Sequence, residues 1–326
     1  MTRGWRIPAP TRSAISIIKL APTPSYQCYI LPSINMQKPG TTNMQINTLS
    51  TAAGIKPNED LACHFTHADG TLDVLMFDGA SSVSDQHYLD TELGDPAWFV
   101  QQFALALQQT TTPARTQADC IVHALQTLRT QHSSLLQTAA MPAYAWPIAA
   151  LSWLRMPADG EECSLYALGD CKSFLLDAQA KVIDLDPYDN PQEGILKTVI
   201  EELKQQGLDE QARWARLLPM LRERRVAQNN SPQPSILCLH PQGRFVAREY
   251  RFSLAADERL FLMTDGFYRL VDSYHLYDDQ SLMQACSTRG LEAMMQELRM
   301  HEAGKSGGMT VKKADDATVT MLNAGE

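Results

Sequence analysis

Two almost wholly apolar runs, Val74-Leu-Met-Phe77 and Leu260-Phe-Leu-Met-Thr264, each stop at an Asp-Gly pair, Asp78-Gly79 and Asp265-Gly266. Such runs read as buried strands, and both lead towards helical segments. The pattern therefore sets a carboxylate at the end of a buried strand twice over. A carboxylate in that position is costly to desolvate unless it is paired or metal-bound. No Lys or Arg lies within four residues of Asp78 to pair with it locally, so a metal ion would supply the missing charge. Two other Asp-Gly pairs, at Asp69 and Asp159, sit between strands and read as hairpin turns.

Around these runs the chain is organised in blocks. Leu61 to Thr66 and Leu72 to Phe77 read as a hairpin. Trp98, Phe99, Phe103 and Leu107 share one helical face, and Ile121, Leu125, Leu128 and Leu135 share another, both suited to packing on a sheet. Strands return at about 145–155, 163–168 and 172–177 as an antiparallel meander. A charged helical stretch over 194–226 is broken near Gly207 and perturbed by Pro219, and reads as a lid or outer layer. Strands near 235–240, 245–253 and 259–264 follow, then helices near 266–272, 279–287 and 290–302, and a last strand at 317–322. Strands and helices that come in blocks, without strict alternation, predict an α+β layered sandwich.

Residues 1–48 are rich in Pro, Ser, Thr and Arg and lack clear periodicity. They read as a disordered or artefactual N-terminal extension, with an organellar targeting leader as the alternative, and the folded domain is expected over 49–326. The net charge is −9, and the first 58 residues hold six of the 28 Lys and Arg and none of the 37 acids. The body is thus more acidic than the whole, which argues against general nucleic-acid binding. No stretch approaches the roughly 18–20 apolar residues of a membrane helix. Seven scattered cysteines without a Cys-x-x-Cys pair read as reduced thiols in a cytoplasmic protein.

Two more acidic segments precede strands: Asn58-Glu59-Asp60 and Asp315-Asp316-Ala-Thr318. Adjacent acids at strand mouths repel unless cations intervene, and hard divalent ions prefer all-oxygen ligands. Together with Phe77-Asp78-Gly79, Ala167-Leu-Gly-Asp170-Cys-Lys-Ser-Phe174 and Met263-Thr-Asp265-Gly266, these segments form an ordered set over residues 50 to 323. That set resembles the PPM family of metal-dependent protein phosphatases, the type 2C serine/threonine phosphatases.

The resemblance implies a four-layer α-β-β-α sandwich with a mostly antiparallel pair of central sheets and a two-metal centre, Mn²⁺ or Mg²⁺, at one edge. Asp78 would bridge the ions, Asp265 and Asp315 would complete one of them, the Gly79 carbonyl would help the other, and Glu59 would hold or order its waters. Asp170 matches the position used for a weaker third ion. The implied activity is hydrolysis of phosphoserine and phosphothreonine on a phosphoprotein substrate by a metal-bridging hydroxide, in a monomer without nucleic-acid or membrane partners. The pattern departs in two places. Ala80-Ser81-Ser82 follows the first Asp-Gly where relatives carry a small residue or His and then Gly-Gly, and nearby His87 reads as a surface residue. The usual phosphate-binding Arg is replaced by Ile55, leaving Lys56 as the candidate phosphate contact. Two alternatives stand beside this reading: a weakly active or inactive phosphoprotein-binding module on the same fold, and a hydrolase of small phosphate esters.

Overall fold

The computed structural model of the chain describes residues 34–38, 41–158, 162–255, 257–304 and 314–324. Its strands are β1 (Ile34–Lys38), β2 (Thr41–Thr51), β3 (Asp60–Thr66), β4 (Leu72–Gly79), β5 (Ile148–Met156) and β6 (Cys163–Leu168), then β7 (Lys172–Leu176), β8 (Val182–Asp184), β9 (Leu237–Cys238), β10 (Arg248–Phe252), β11 (Arg259–Met263) and β12 (Ala317–Ala324). The helices are α1 (Asp95–Thr110), α2 (Gln117–Gln131), α3 (Ser133–Thr138), α4 (Pro191–Gln205), α5 (Glu210–Asn229), α6 (Asp265–Asp272), α7 (Asp279–Arg289) and α8 (Leu291–Gly304). One sheet runs β1-β2-β12-β11-β7-β8 and the other β10-β6-β5-β4-β3, with β9 beside β5. Every pairing among the described residues is antiparallel.

The two apolar runs are continuous because each strand is covered on both faces. Successive side chains of a strand point to opposite sides. Along β4, Leu75 and Phe77 join Phe99 and Phe103 of α1 and Ile121 of α2 in one core. Val74 and Met76 face the other way, into a core shared with Leu260 and Leu262 of β11. From β11, Phe261 and Met263 turn outward to Phe267 of α6, Leu282 of α7 and Met294 of α8. Helices, sheet, sheet and helices therefore stack as four layers. Each fully buried Leu or Phe contributes roughly 1.5–3 kcal/mol.

The expected boundary between residues 48 and 49 falls inside β2, which pairs with β12 from Met44↔Ala324 to Thr51↔Ala317. Residues 41–48 are therefore part of the sheet, and residues 1–33 lie outside the described residues. Apolar alternation does not announce β2 because polar contacts hold part of it: the hydroxyls of Thr48 and Thr320 lie 2.9 Å apart and those of Ser50 and Thr318 2.6 Å apart. The strand expected near 235–240 shrinks to Leu237–Cys238, because the carbonyls of Pro234 and Ser235 accept from Val246 and Gly169 instead of from a ladder. Leu135 belongs to the separate α3, not to the α2 stripe. The Asp69-Gly70 turn is present, with Gly70 at φ 90°, while the turn at Asp159-Gly160 lies outside the described residues. No helix among the described residues is long and apolar enough to cross a membrane.

Helices α4 and α5 belong to neither outer layer. They form a hairpin through Gly207, at φ 75°, and an asparagine at each root joins it to the sandwich. Asn190 caps α4 through Gln192 N–H and donates to Asp170 at 2.8 Å, and Asn229 donates to the carbonyls of Ala143 and Trp146.

Candidate metal centre

The C-terminal ends of β4 and β11, the N-terminal ends of β3 and β12 and the β6–β7 turn lie at one edge of the sandwich. Register makes this so: Asp78 is opposite both Asp60 and Ala150, and Met263 is opposite both Val319 and Lys172. Here the space between the sheets turns polar. Ser152 and Ser173 bridge the sheets with their hydroxyls 2.7 Å apart, and Thr264 donates to Asp60 at 2.8 Å.

Asp78, Asp170, Asp265 and Asp315 all line a single cavity of about 820 Å³ between this edge and the α4–α5 hairpin. Burial, and then repulsion from Asp265, Asp60, Asp170 and Asp315, pushes the Asp78 carboxyl well above the usual range. Asp265 opens to the water of the cavity, while protein closes round it on the other sides. That enclosure, with Asp315 and Asp170 beyond it, pushes its carboxyl up to about 7, and Asp78 is close enough to exchange a hydrogen bond with it. Asp60, almost wholly buried, is also pushed up, first by burial and then by Asp316 and Asp265, against the help of the Thr264 hydroxyl.

The glycines of both Asp-Gly pairs are required by close approach and not by a turn. A Cβ on Gly266 would come within 1.9 Å of the Asp316 carbonyl oxygen, and one on Gly79 within 2.5 Å of the Glu59 carbonyl oxygen. Gly79 N–H donates to that same carbonyl. Asp316 takes no place on the cavity wall: its carboxylate accepts from the backbone of Ala53 and Glu59, each at 2.7 Å. It thereby ties the start of β12 to the approach to β3.

Glu59 stands behind the wall, where its carboxylate accepts from the Ser81 hydroxyl. Lys56 is exposed and does not line the cavity, and neither does His87. Several contributors escaped the sequence reading. Arg269 pairs with Asp315 at 2.9 Å and lies 3.8 Å from the buried Glu302. Arg299 in turn donates to Glu302, the Asp315 carbonyl and Thr51. On the other side, Arg248 pairs with the buried Asp186 and donates to the Gly169 carbonyl, steadying the turn that carries Asp170. Arg269 had one readable signal, its place four residues after Asp265 on a helix. Arg248 meets partners distant in sequence, and so does Arg299 apart from Glu302, three residues on.

The chemistry of the donor set fits hard divalent cations: carboxylate oxygens, crowded enough to raise one another's proton affinity, with few cations among them. Asp315 gives one oxygen to Arg269 and Asp170 gives one to Asn190. Among the described residues, no three His, Cys, Asp or Glu side chains stand together as a formed ligand set.

Comparison with solved structures decides the architecture. A serine/threonine phosphatase of S. agalactiae superposes with a TM-score of 0.52 at 14% identity, over 86% of this chain and 99% of that one. The Mycobacterium tuberculosis serine/threonine phosphatase PstP/Ppp gives 0.51 at 14% identity, over 87% and 99%. The chain has the PPM phosphatase fold. The catalytic domain of PstP in complex with two manganese ions gives 0.50 at 13% identity, over 87% and 99%. No protein-family model matches the sequence, and no curated protein matches it. The α+β four-layer architecture expected from the motif order is thus the one observed, and on this PPM fold the acidic edge is the place where the motifs meet.

Proposed function

We propose that the chain is a divalent-metal-dependent phosphatase of phosphoserine and phosphothreonine residues in proteins. The observation that carries this reading is the convergence of Asp78, Asp170, Asp265 and Asp315 on one cavity at the sandwich edge. Asp78, Asp265 and Asp315 would hold one ion. Asp78 and the Gly79 carbonyl would hold a second, with Glu59 behind them, and Asp170 would serve a weaker third. Mn²⁺ or Mg²⁺ bound there would supply an activated water nucleophile and neutralise the phosphoryl oxygens. The chain's own residues prepare the place. Arg269 and Arg299 hold the segment that carries Asp315, Asn190 and Arg248 hold that of Asp170, and the α4–α5 hairpin forms a wall of the cavity. The manganese-bound PstP domain shares this fold, and the acidic charge of the chain suits cation binding.

We place the protein in the cytoplasm as a monomer without nucleic-acid or membrane partners; the free cysteines Cys63, Cys120, Cys163, Cys171, Cys238 and Cys286 support a reducing compartment. The test is hydrolysis of p-nitrophenyl phosphate and a phosphothreonine peptide with Mn²⁺, Mg²⁺ or EDTA, beside Asp265→Asn. Metal-dependent turnover that the substitution removes is the expected result. Preference for the small ester over the peptide would redirect the reading to a small phosphate-ester hydrolase. A phosphoprotein-binding module without turnover is the second reading, favoured by the ion pair that engages Asp315 with Arg269. Metal binding without hydrolysis of either substrate would select it.

A further inference from the structure

The cavity wall opposite the acidic edge carries an arginine for which the fold gives little use. Arg225 of α5 is 7% exposed and lines the same cavity as Asp78, Asp170, Asp265 and Asp315. Of its five possible N–H donors, one is engaged by the protein among the described residues: Nη2 donates to the Ser81 carbonyl at 3.2 Å. No carboxylate lies within ion-pair distance of it among the described residues. Burial, and then the neighbouring charge of Arg224, pulls its guanidinium down to about 10, with only Glu59 acting in its favour.

Holding α5 against the sandwich does not require this residue. Arg222, one turn earlier, already does so, with 2.8 Å bonds to the Val83 carbonyl and to Asp85. A guanidinium withdrawn from water with so few partners is costly to keep. Its planar fork matches two oxygens of a phosphoryl group. Ser81, which it touches, is three residues beyond Asp78, so the fork stands beside the strand end that supplies the first acid of the site. Lys56, the candidate from the sequence, is exposed and absent from the wall.

We propose that Arg225 is the phosphate ligand of this site, gripping the phosphoryl oxygens of a phosphomonoester from the α4–α5 hairpin, opposite the carboxylates. The inference rests on the phosphatase reading of the cavity and names the residue that recognises its substrate. Phosphate recognition thereby comes from a helix outside the sandwich, on the opposite wall from the acids.

The experiment uses the full chain with Mn²⁺ and compares Arg225→Ala, Arg225→Lys and Arg222→Ala with the unaltered protein. Two measurements are made: steady-state kinetics with p-nitrophenyl phosphate, giving KM and kcat, and calorimetric binding of inorganic phosphate. Arg225→Ala is expected to weaken phosphate binding and raise KM by about 10- to 100-fold, the scale of losing hydrogen bonds to a charged group. Arg225→Lys should recover part of the loss, keeping the charge without the fork. Arg222→Ala should loosen α5 but leave phosphate affinity within about twofold, a shift of under about 0.5 kcal/mol. Phosphate affinity unchanged in Arg225→Ala, or lost equally in Arg222→Ala, overturns the assignment while leaving the phosphatase reading intact. If the unaltered chain shows no turnover, the phosphatase reading fails, and calorimetry still decides the assignment. Phosphate binding that Arg225→Ala abolishes supports it, and no phosphate binding by the unaltered chain overturns it.

Discussion

Asp265 sits where the demands of folding and of the site conflict. It begins α6 at the end of a buried strand, where enclosure by the protein, and then Asp315 and Asp170, push its carboxyl up to about 7. Asp265→Asn should cut metal-dependent turnover by at least about 100-fold, the scale of removing one preorganised electrostatic partner, as read by initial rates with Mn²⁺. One residue on, Gly266→Ala would set a methyl 1.9 Å from the Asp316 carbonyl oxygen. It should lower unfolding free energy by about 3 kcal/mol, the upper range for overpacking, as read by urea denaturation. The four cavity acids were legible because each stands beside a strand whose apolar content shows in the sequence. Asp60 stood within a legible segment, but its tie to Thr264, 204 positions away, did not show. Arg225 appeared only as one residue of a charged helical stretch, since nothing local distinguishes a buried arginine from a solvated one.

Elements show the same division. The strands covered on both faces declared themselves, whereas β2 did not, because hydroxyl contacts to β12 do there what apolar alternation does elsewhere. The 194–226 stretch was readable as helical and as a lid or outer layer, but the choice between those two was not, since it depends on where its roots are fastened. Arg222→Ala removes the bonds to Val83 and Asp85 and should speed amide hydrogen exchange in α5 while leaving β4 and β11 protected. Its cost in global stability should stay below about 1 kcal/mol, because Asp85 is exposed. Thr264→Val keeps the shape of the β11–α6 junction but takes one of two hydroxyl donors from Asp60 and leaves the Thr318 N–H without its acceptor. It should cost about 1–3 kcal/mol in the metal-free chain, the penalty for a buried polar group left without its partner.

For the whole molecule, the acidic edge makes stability depend on pH. In the metal-free chain Asp265 keeps its proton until about pH 7, whereas an unfolded Asp releases it near ~3.9. Between those values the folded state binds more protons, so this group's contribution is full below the unfolded value and fades as pH rises through the folded one. Asp78 and Asp60, also pushed up, act in the same direction. Scanning calorimetry should therefore show Mn²⁺ raising Tm more at pH 8 than at pH 5, and Asp265→Asn should flatten the metal-free decline between them. A Tm that Mn²⁺ leaves unmoved at both pH values would count against cation binding at this edge. The asparagines at the roots of the α4–α5 hairpin have a different consequence. Asn190 and Asn229 fasten a segment that no sheet pairing passes through, so the hairpin is an interchangeable part. A lineage could exchange it for another and acquire a new clientele, while the sandwich and its acids passed unchanged from parent to descendant.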